Sequence, residues 1–181
     1  RYFQSDLPYH ISMIIDDGWY YSFTAYAYQV LYLLAGKKVW LIAVLLAVVS
    51  VGTVVITERL LRVLSKQKER TALTWGGALI LNLVMPFFFE WAGAYRYVSY
   101  QSGNLWHNST YICMRLFALA SMLVYLKIEE NYKEKIDWKQ WGLFMVLLVI
   151  TTGIKPSFLT VFAPAMALKL VWDLFHKVPF K

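Results

Sequence analysis

Residues 39–57, "VWLIAVLLAVVSVGTVVIT", contain no charged side chain. A run of this length and apolarity is long enough to cross the hydrocarbon core of a bilayer, where every backbone N–H and C=O must be satisfied internally. The segment is therefore expected to be a membrane-spanning helix, and the rest of the chain must be arranged around it. It runs into "ERLLRVLSKQKER", a strongly basic stretch. Basic segments beside a span remain cytoplasmic, so residues 58–70 are assigned to the inside and the preceding segment to the outside.

The remaining runs repeat this pattern. Residues 72–89, "ALTWGGALILNLVMPFFF", lead back out, with Asn82 and Pro86 tolerable where neighbouring helices or water satisfy them. The outer loop 90–108 holds one basic residue, Arg96. Residues 111–126 return inward and meet "KIEENYKEKIDWKQ", with four lysines. Residues 141–153 are short for a crossing, break at "GIKPS" and continue as "FLTVFAPAMALKLVWDLFHK". This reads as a helical hairpin near 141–173, its Lys155 tip either facing outward or re-entering the membrane. The expected fold is all-α, a polytopic transmembrane bundle of about five membrane segments over 37–181. Residues 1–36 form an extracytoplasmic first loop with short amphipathic, interfacial helices, because dense Tyr and Trp favour the membrane–water boundary.

Composition agrees, with 59% of the 181 residues hydrophobic and 18% aromatic. In a soluble chain a net charge of +7 would point to nucleic acid. Here the basic residues sit just beyond apolar runs, where they set orientation, and no nucleic-acid partner is expected. A lone cysteine, Cys113, excludes an internal disulfide and a CxxC metal site. The chain opens on Arg1 without a signal-peptide pattern and is expected to be a piece of a longer protein.

This topology collects the unusual polar groups on the outer side: Asp6, His10, Asp16, Asp17, Glu90, Arg96, Trp106, His107, Asn108, Arg115 and Lys155. In "SDLPYHISMIIDDGWY", a helix beginning after Pro8 places His10, Met13 and Asp17 on one face, with Asp6 nearby. Two carboxylates and an imidazole can deprotonate an acceptor hydroxyl or hold a divalent cation, Mg or Mn, through Asp6 and Asp17. A solvated loop with its carboxylates in water is the plainer alternative. Arg115 lies inside an apolar segment, where a charge costs roughly 2.5 to 3.5 kcal/mol and faces a partner, a wet cavity or, by snorkelling, the headgroups. Its fork matches phosphate oxygens, and Lys155 either adds a second positive charge or is a simple loop lysine. Trp106 can stack on a sugar ring or a lipid, and His107 can bond a hydroxyl or a phosphate. Asn108 or Ser109 caps the following helix. Glu90 is either an interface residue or a further carboxylate for the outer site.

With "SDLPYHI" opening an outer loop, "DDGWYYSFTAYAYQVLY" following it and several spans after that, the layout resembles the GT-C superfamily of integral membrane glycosyltransferases. "NLWHNSTYICMRLFALAS" and "TTGIKPSF" also look like segments of bacterial members. The resemblance implies a polyprenyl-phosphate-linked sugar donor and a glycan or lipid acceptor, used at the extracytoplasmic face of a bacterial cell membrane in cell-envelope assembly. It makes Asp6 the catalytic base or a metal ligand, places a first transmembrane helix before Arg1, and makes Lys155 a phosphate-facing lysine. Where several members carry an Asp-Glu pair, this chain has Ser5-Asp6. Two other readings accompany it: a polysaccharide polymerase or ligase using a lipid-linked oligosaccharide, and a non-enzymatic transporter or assembly subunit for lipid-linked intermediates.

Overall fold

A computed structural model describes residues 7–83, 97–98, 101–102, 108–132, 135 and 137–176. Their regular structure is helical apart from one minimal antiparallel pairing, β1 (Tyr97–Val98) with β2 (Gln101–Ser102). The helices are α1 (Leu7–Ile15), α2 (Phe23–Leu34), α3 (Trp40–Leu64), α4 (Ala72–Leu83), α5 (Ser109–Asn131), α6 (Trp138–Ile154) and α7 (Ser157–Phe175).

Local chemistry sets their ends. Ser22 caps α2, its hydroxyl accepting from the Ala25 amide at 3.3 Å. The helix stops at Gly36, whose φ of 66° allows the Lys37 amide to reach Tyr32 O and the Gly36 amide to reach Leu33 O. That paired closure satisfies carbonyls that would otherwise be left without donors before α3 begins. At the far end of α3 the same closure forms on Lys66, with φ 55°. α3 is thus longer than its charge-free run and carries Glu58, Arg59 and Arg62 in its last turns. Thr71 and Thr74 open α4 reciprocally, each amide donating to the other's hydroxyl at 3.2 Å. Asn108 caps α5 through the Tyr111 amide at 3.1 Å, and Asp137 caps α6 through the Lys139 amide at 3.0 Å.

Three helices, α3, α5 and α7, are long and apolar enough to cross a membrane, whereas α4 and α6 are shorter apolar helices. Of the five segments expected, three therefore have full spanning length. The run 84–89, which would extend α4, lies outside the described residues. Both α3 and α6 pack on α5, α4 packs on α3, and α7 on α6. α1 and α2 form a hairpin that shares one apolar core with the bundle, through Ile14, Ala25, Tyr28, Ile42, Ile112 and Ile154. Because Ile42 and Ile112 meet in that core, α3 and α5 start at the same end. Their C-terminal ends lead into the basic residues of 66–70 and, at and after the end of α5, Lys127, Lys135 and Lys139, so these lie at the opposite end of the bundle.

Candidate functional site

The end of the bundle carrying the α1–α2 hairpin holds the candidate site. Arg115 is six residues into α5, about 9 Å along the axis at 1.5 Å per residue. It is half-buried, and its Nη2 donates to Leu81 O on α4 at 3.2 Å. Among the described residues no carboxylate pairs with it. An unneutralised guanidinium at that depth calls for an anion or water.

One turn earlier on the same face of α5 is Tyr111, and Lys155 Nζ sits 5.8 Å from the centre of its ring. The sequence explains this placement. Pro156 disfavours helical geometry for the residue before it, and Lys155 is extended, with φ −161° and ψ 122°. The chain breaks there between α6 and α7, and the lysine projects beside α5 rather than continuing a helical face. Tyr111 thus has Lys155, 44 positions further along the sequence, over its ring and Arg115 one turn further along α5.

Beside Arg115 is a cavity of about 70 Å³ between α3, α4 and α5, lined by Ser50, Thr53, Asn82, Tyr111, Arg115 and apolar side chains. Its polar groups belong to an ordered ladder. The hydroxyls of Ser50, Thr53 and Thr57 donate to the carbonyls of Leu46, Val49 and Thr53, each at 2.7 Å. Their protons are used in this way, and their lone pairs remain as acceptors. Asn82 Nδ2 donates to Thr57 Oγ1 at 3.0 Å and to Ala78 O at 2.8 Å. A carbonyl only accepts, which fixes the amide orientation and leaves Asn82 Oδ1 buried without a donor. The ladder continues to Glu58, fully buried, whose Oε1 accepts from Thr74 Oγ1 at 3.1 Å and lies 2.8 Å from Arg62 Nε. The Arg62 N–H is poorly aligned, so that pairing is ionic rather than a directed hydrogen bond.

The other candidates from the sequence are more dispersed. His10 is held on α1 by Tyr21, whose hydroxyl lies 2.6 Å from Nδ1. α1 ends at Ile15, so the helical face drawn through His10, Met13 and Asp17 does not reach Asp17, which is exposed in the following turn. A glycine with φ 68°, Gly18, follows immediately and turns the chain toward α2. Asp6, Glu90, Trp106 and His107 lie outside the described residues. Among the described residues no group of three His, Cys, Asp or Glu side chains can hold a metal ion. Among those residues Asp17 has no partner set for Mg or Mn.

Tyr111, Ser50 and Thr53 were not singled out from sequence. Tyr111 had a usable signal, lying four residues before an intramembrane arginine. The two hydroxyls had none, since Ser and Thr are common on apolar helices. At the opposite end, Lys169 bridges Glu129 at 3.1 Å and Asp173 at 2.5 Å, and Tyr132 donates to Asp173 at 2.6 Å. The bond to the Asp173 carboxylate is the main cause that raises the Tyr132 pKa. This cluster fastens α7 to α5 and lies remote from the cavity.

Set against protein-family models, curated proteins and solved structures, the chain matches none.

Proposed function

We propose that this chain is the membrane-embedded part of a GT-C type glycosyltransferase that takes a sugar from a polyprenyl-phosphate-linked donor at the extracytoplasmic face of a bacterial cell membrane. The acceptor is a glycan or lipid of the cell envelope. The supporting observation is Arg115, a half-buried guanidinium without a carboxylate partner among the described residues, beside a cavity whose lining includes Tyr111, the residue that Lys155 overlies. A donor phosphate would receive paired N–H bonds from Arg115 and a point charge from Lys155. Charge that develops on the departing phosphate is stabilised by these fixed cations in a site of low polarity. The acceptor hydroxyl gives its proton to Asp6, the sugar C1–O bond to phosphate breaks with its electron pair on the phosphate oxygen, and the new C1–O bond forms to the acceptor. The role of Asp6 rests on its place in the sequence layout.

The test uses the full-length protein in native membranes, with transfer of labelled sugar from the lipid donor as readout. Asp6→Asn and Arg115→Gln are each expected to reduce transfer by at least about a hundredfold while membrane insertion persists, the scale on which acid–base and charge-stabilising groups act. Full activity in both variants would remove the enzyme reading.

A second reading is favoured by the buried ladder Ser50, Thr53, Thr57 and Asn82, which carries polar groups along the depth of α3. A transporter of lipid-linked intermediates presents polar groups in this manner. Flipping of a labelled lipid in vesicles without sugar transfer would establish it over the transferase.

A further inference from the structure

Charge is unevenly spread over the end of the bundle opposite the hairpin. The last turns of α3 and the turn into α4 carry Arg59, Lys66, Lys68 and Arg70, all exposed, against one exposed carboxylate, Glu69. Arg62 is neutralised separately by the buried Glu58, 2.8 Å away. Among the described residues no carboxylate pairs with any of the four cations, so four positive charges against one negative leave this corner at +3. The neighbouring corner is balanced: the described residues of 127–139 hold three lysines and three carboxylates, and Lys169 and Asp173 add one of each.

The basic turn is also held in shape. Lys66 has φ 55°, which lets its amide reach Val63 O at 3.2 Å and the Gln67 amide reach Arg62 O at 3.0 Å. Arg62 Nη1 donates to Lys68 O at 3.4 Å, and Thr71 and Thr74 close the start of α4. Cations presented from a tied turn lose less freedom on binding than those of a trailing segment. Leu64 and Leu73, 61% and 77% exposed, bracket the run in sequence. Apolar side chains beside ordered cations, at the end of a helix of spanning length, match the boundary between acyl chains and headgroups. A soluble polyanion would leave both leucines in water.

We propose that the α3–α4 turn is a binding site for anionic phospholipid headgroups of the cytoplasmic leaflet, with Arg59, Lys66, Lys68 and Arg70 as its phosphate-facing cations. Each cation close to such a surface favours association by about fivefold, and the attraction fades beyond a Debye length, about 10 Å at 0.1 M salt. Arg59 lies about 8 Å before the end of α3 at 1.5 Å per residue, within reach of the headgroups along its own apolar stem. The site goes beyond the transferase reading and does not depend on it.

The test places a small fluorophore on Gln67→Cys, or on Trp138→Cys as a control in the balanced corner, in the full-length protein in phosphatidylcholine nanodiscs. Trace phosphatidylglycerol or phosphatidylcholine, each with a nitroxide on the acyl chain near the headgroup, quenches the fluorophore only at contact range. Phosphatidylglycerol is expected to be enriched over phosphatidylcholine at least about fivefold at position 67, well above its enrichment at 138, and to lose that advantage at about 0.5 M salt. Combining Lys66→Asn, Lys68→Gln and Arg70→Gln should erase the enrichment, Asn being suited to the left-handed backbone at position 66. Lys68→Arg should retain it and Glu69→Gln should raise it. Equal enrichment at both positions, or an enrichment unchanged in the folded triple variant, overturns the site. Binding of a duplex oligonucleotide by the turn without enrichment of phosphatidylglycerol assigns the partner to nucleic acid and overturns the lipid.

Discussion

At the scale of single residues, the site depends on small geometric necessities. Lys155 stands beside Tyr111 because Pro156 keeps it out of helical geometry, and the orientation of the buried Asn82 amide is fixed because its nitrogen is committed to Ala78 O and Thr57. Gly153 is a third case. A Cβ at this position would lie 2.3 Å from Phe23 Cε2, so the absence of a side chain is what lets α2 rest on α6 next to Lys155. Phe23 is itself half exposed and can swing away. Gly153→Ala is therefore expected to cost about 1–2 kcal/mol, the lower part of the range for overpacking, and to loosen the hairpin rather than unfold the bundle. Thermal unfolding in detergent, together with faster amide exchange across 23–34, would register it; unchanged exchange would show that the contact does not hold α2.

Elements differ sharply in how they are secured. α5 is packed by α3 and α6, whereas α7 leaves most of its apolar surface uncovered, with Val161, Leu168 and Phe175 more than 70% exposed. Lipid accounts for such a face in a helix of spanning length. What fastens α7 within the protein includes Phe162, edge-on to Tyr125 at 5.3 Å and to Phe144 at 5.9 Å, Phe158 against the core, and the ionic cluster of Lys169, Glu129 and Asp173. The Asp173 side chain is 6% exposed and Lys169 34%. Removing the lysine takes the opposite charge from a nearly buried carboxylate that keeps the Tyr132 hydroxyl, and the solvent reaching Lys169 reduces the penalty further. Lys169→Met is expected to lower stability by about 1–3 kcal/mol, the scale of a charged hydrogen bond, and to expose α7 to limited proteolysis first. Equal resistance of the variant and the parent would mean that the aromatic contact suffices.

For the whole molecule, the grouping of basic stretches at one end and the hairpin at the other predicts sidedness. Cys113 is 3% exposed and serves as a silent background for labelling. Single cysteines at Lys68 and Trp19, both exposed, should react with a membrane-impermeant thiol reagent from opposite faces, Lys68→Cys from the cytoplasm and Trp19→Cys from outside. Labelling of both from one face would overturn the topology. The sequence alone determined that the chain is helical and apolar enough for a membrane, that the chain breaks at the segment holding Pro156, and that Asn108 or Ser109 caps α5, because these follow from local sterics and from the cost of unsatisfied backbone in lipid. It also marked Arg115 and Lys155 as out of place, since a charge in an apolar run is visible in one dimension. It did not reveal that Lys155 lies over the ring of Tyr111, that α1 stops short of Asp17, or that Ser50, Thr53 and Asn82 line one cavity with Arg115. Those facts depend on how α3, α4 and α5 pack, and side chains from three separate helices share a cavity only after the helices have chosen their faces.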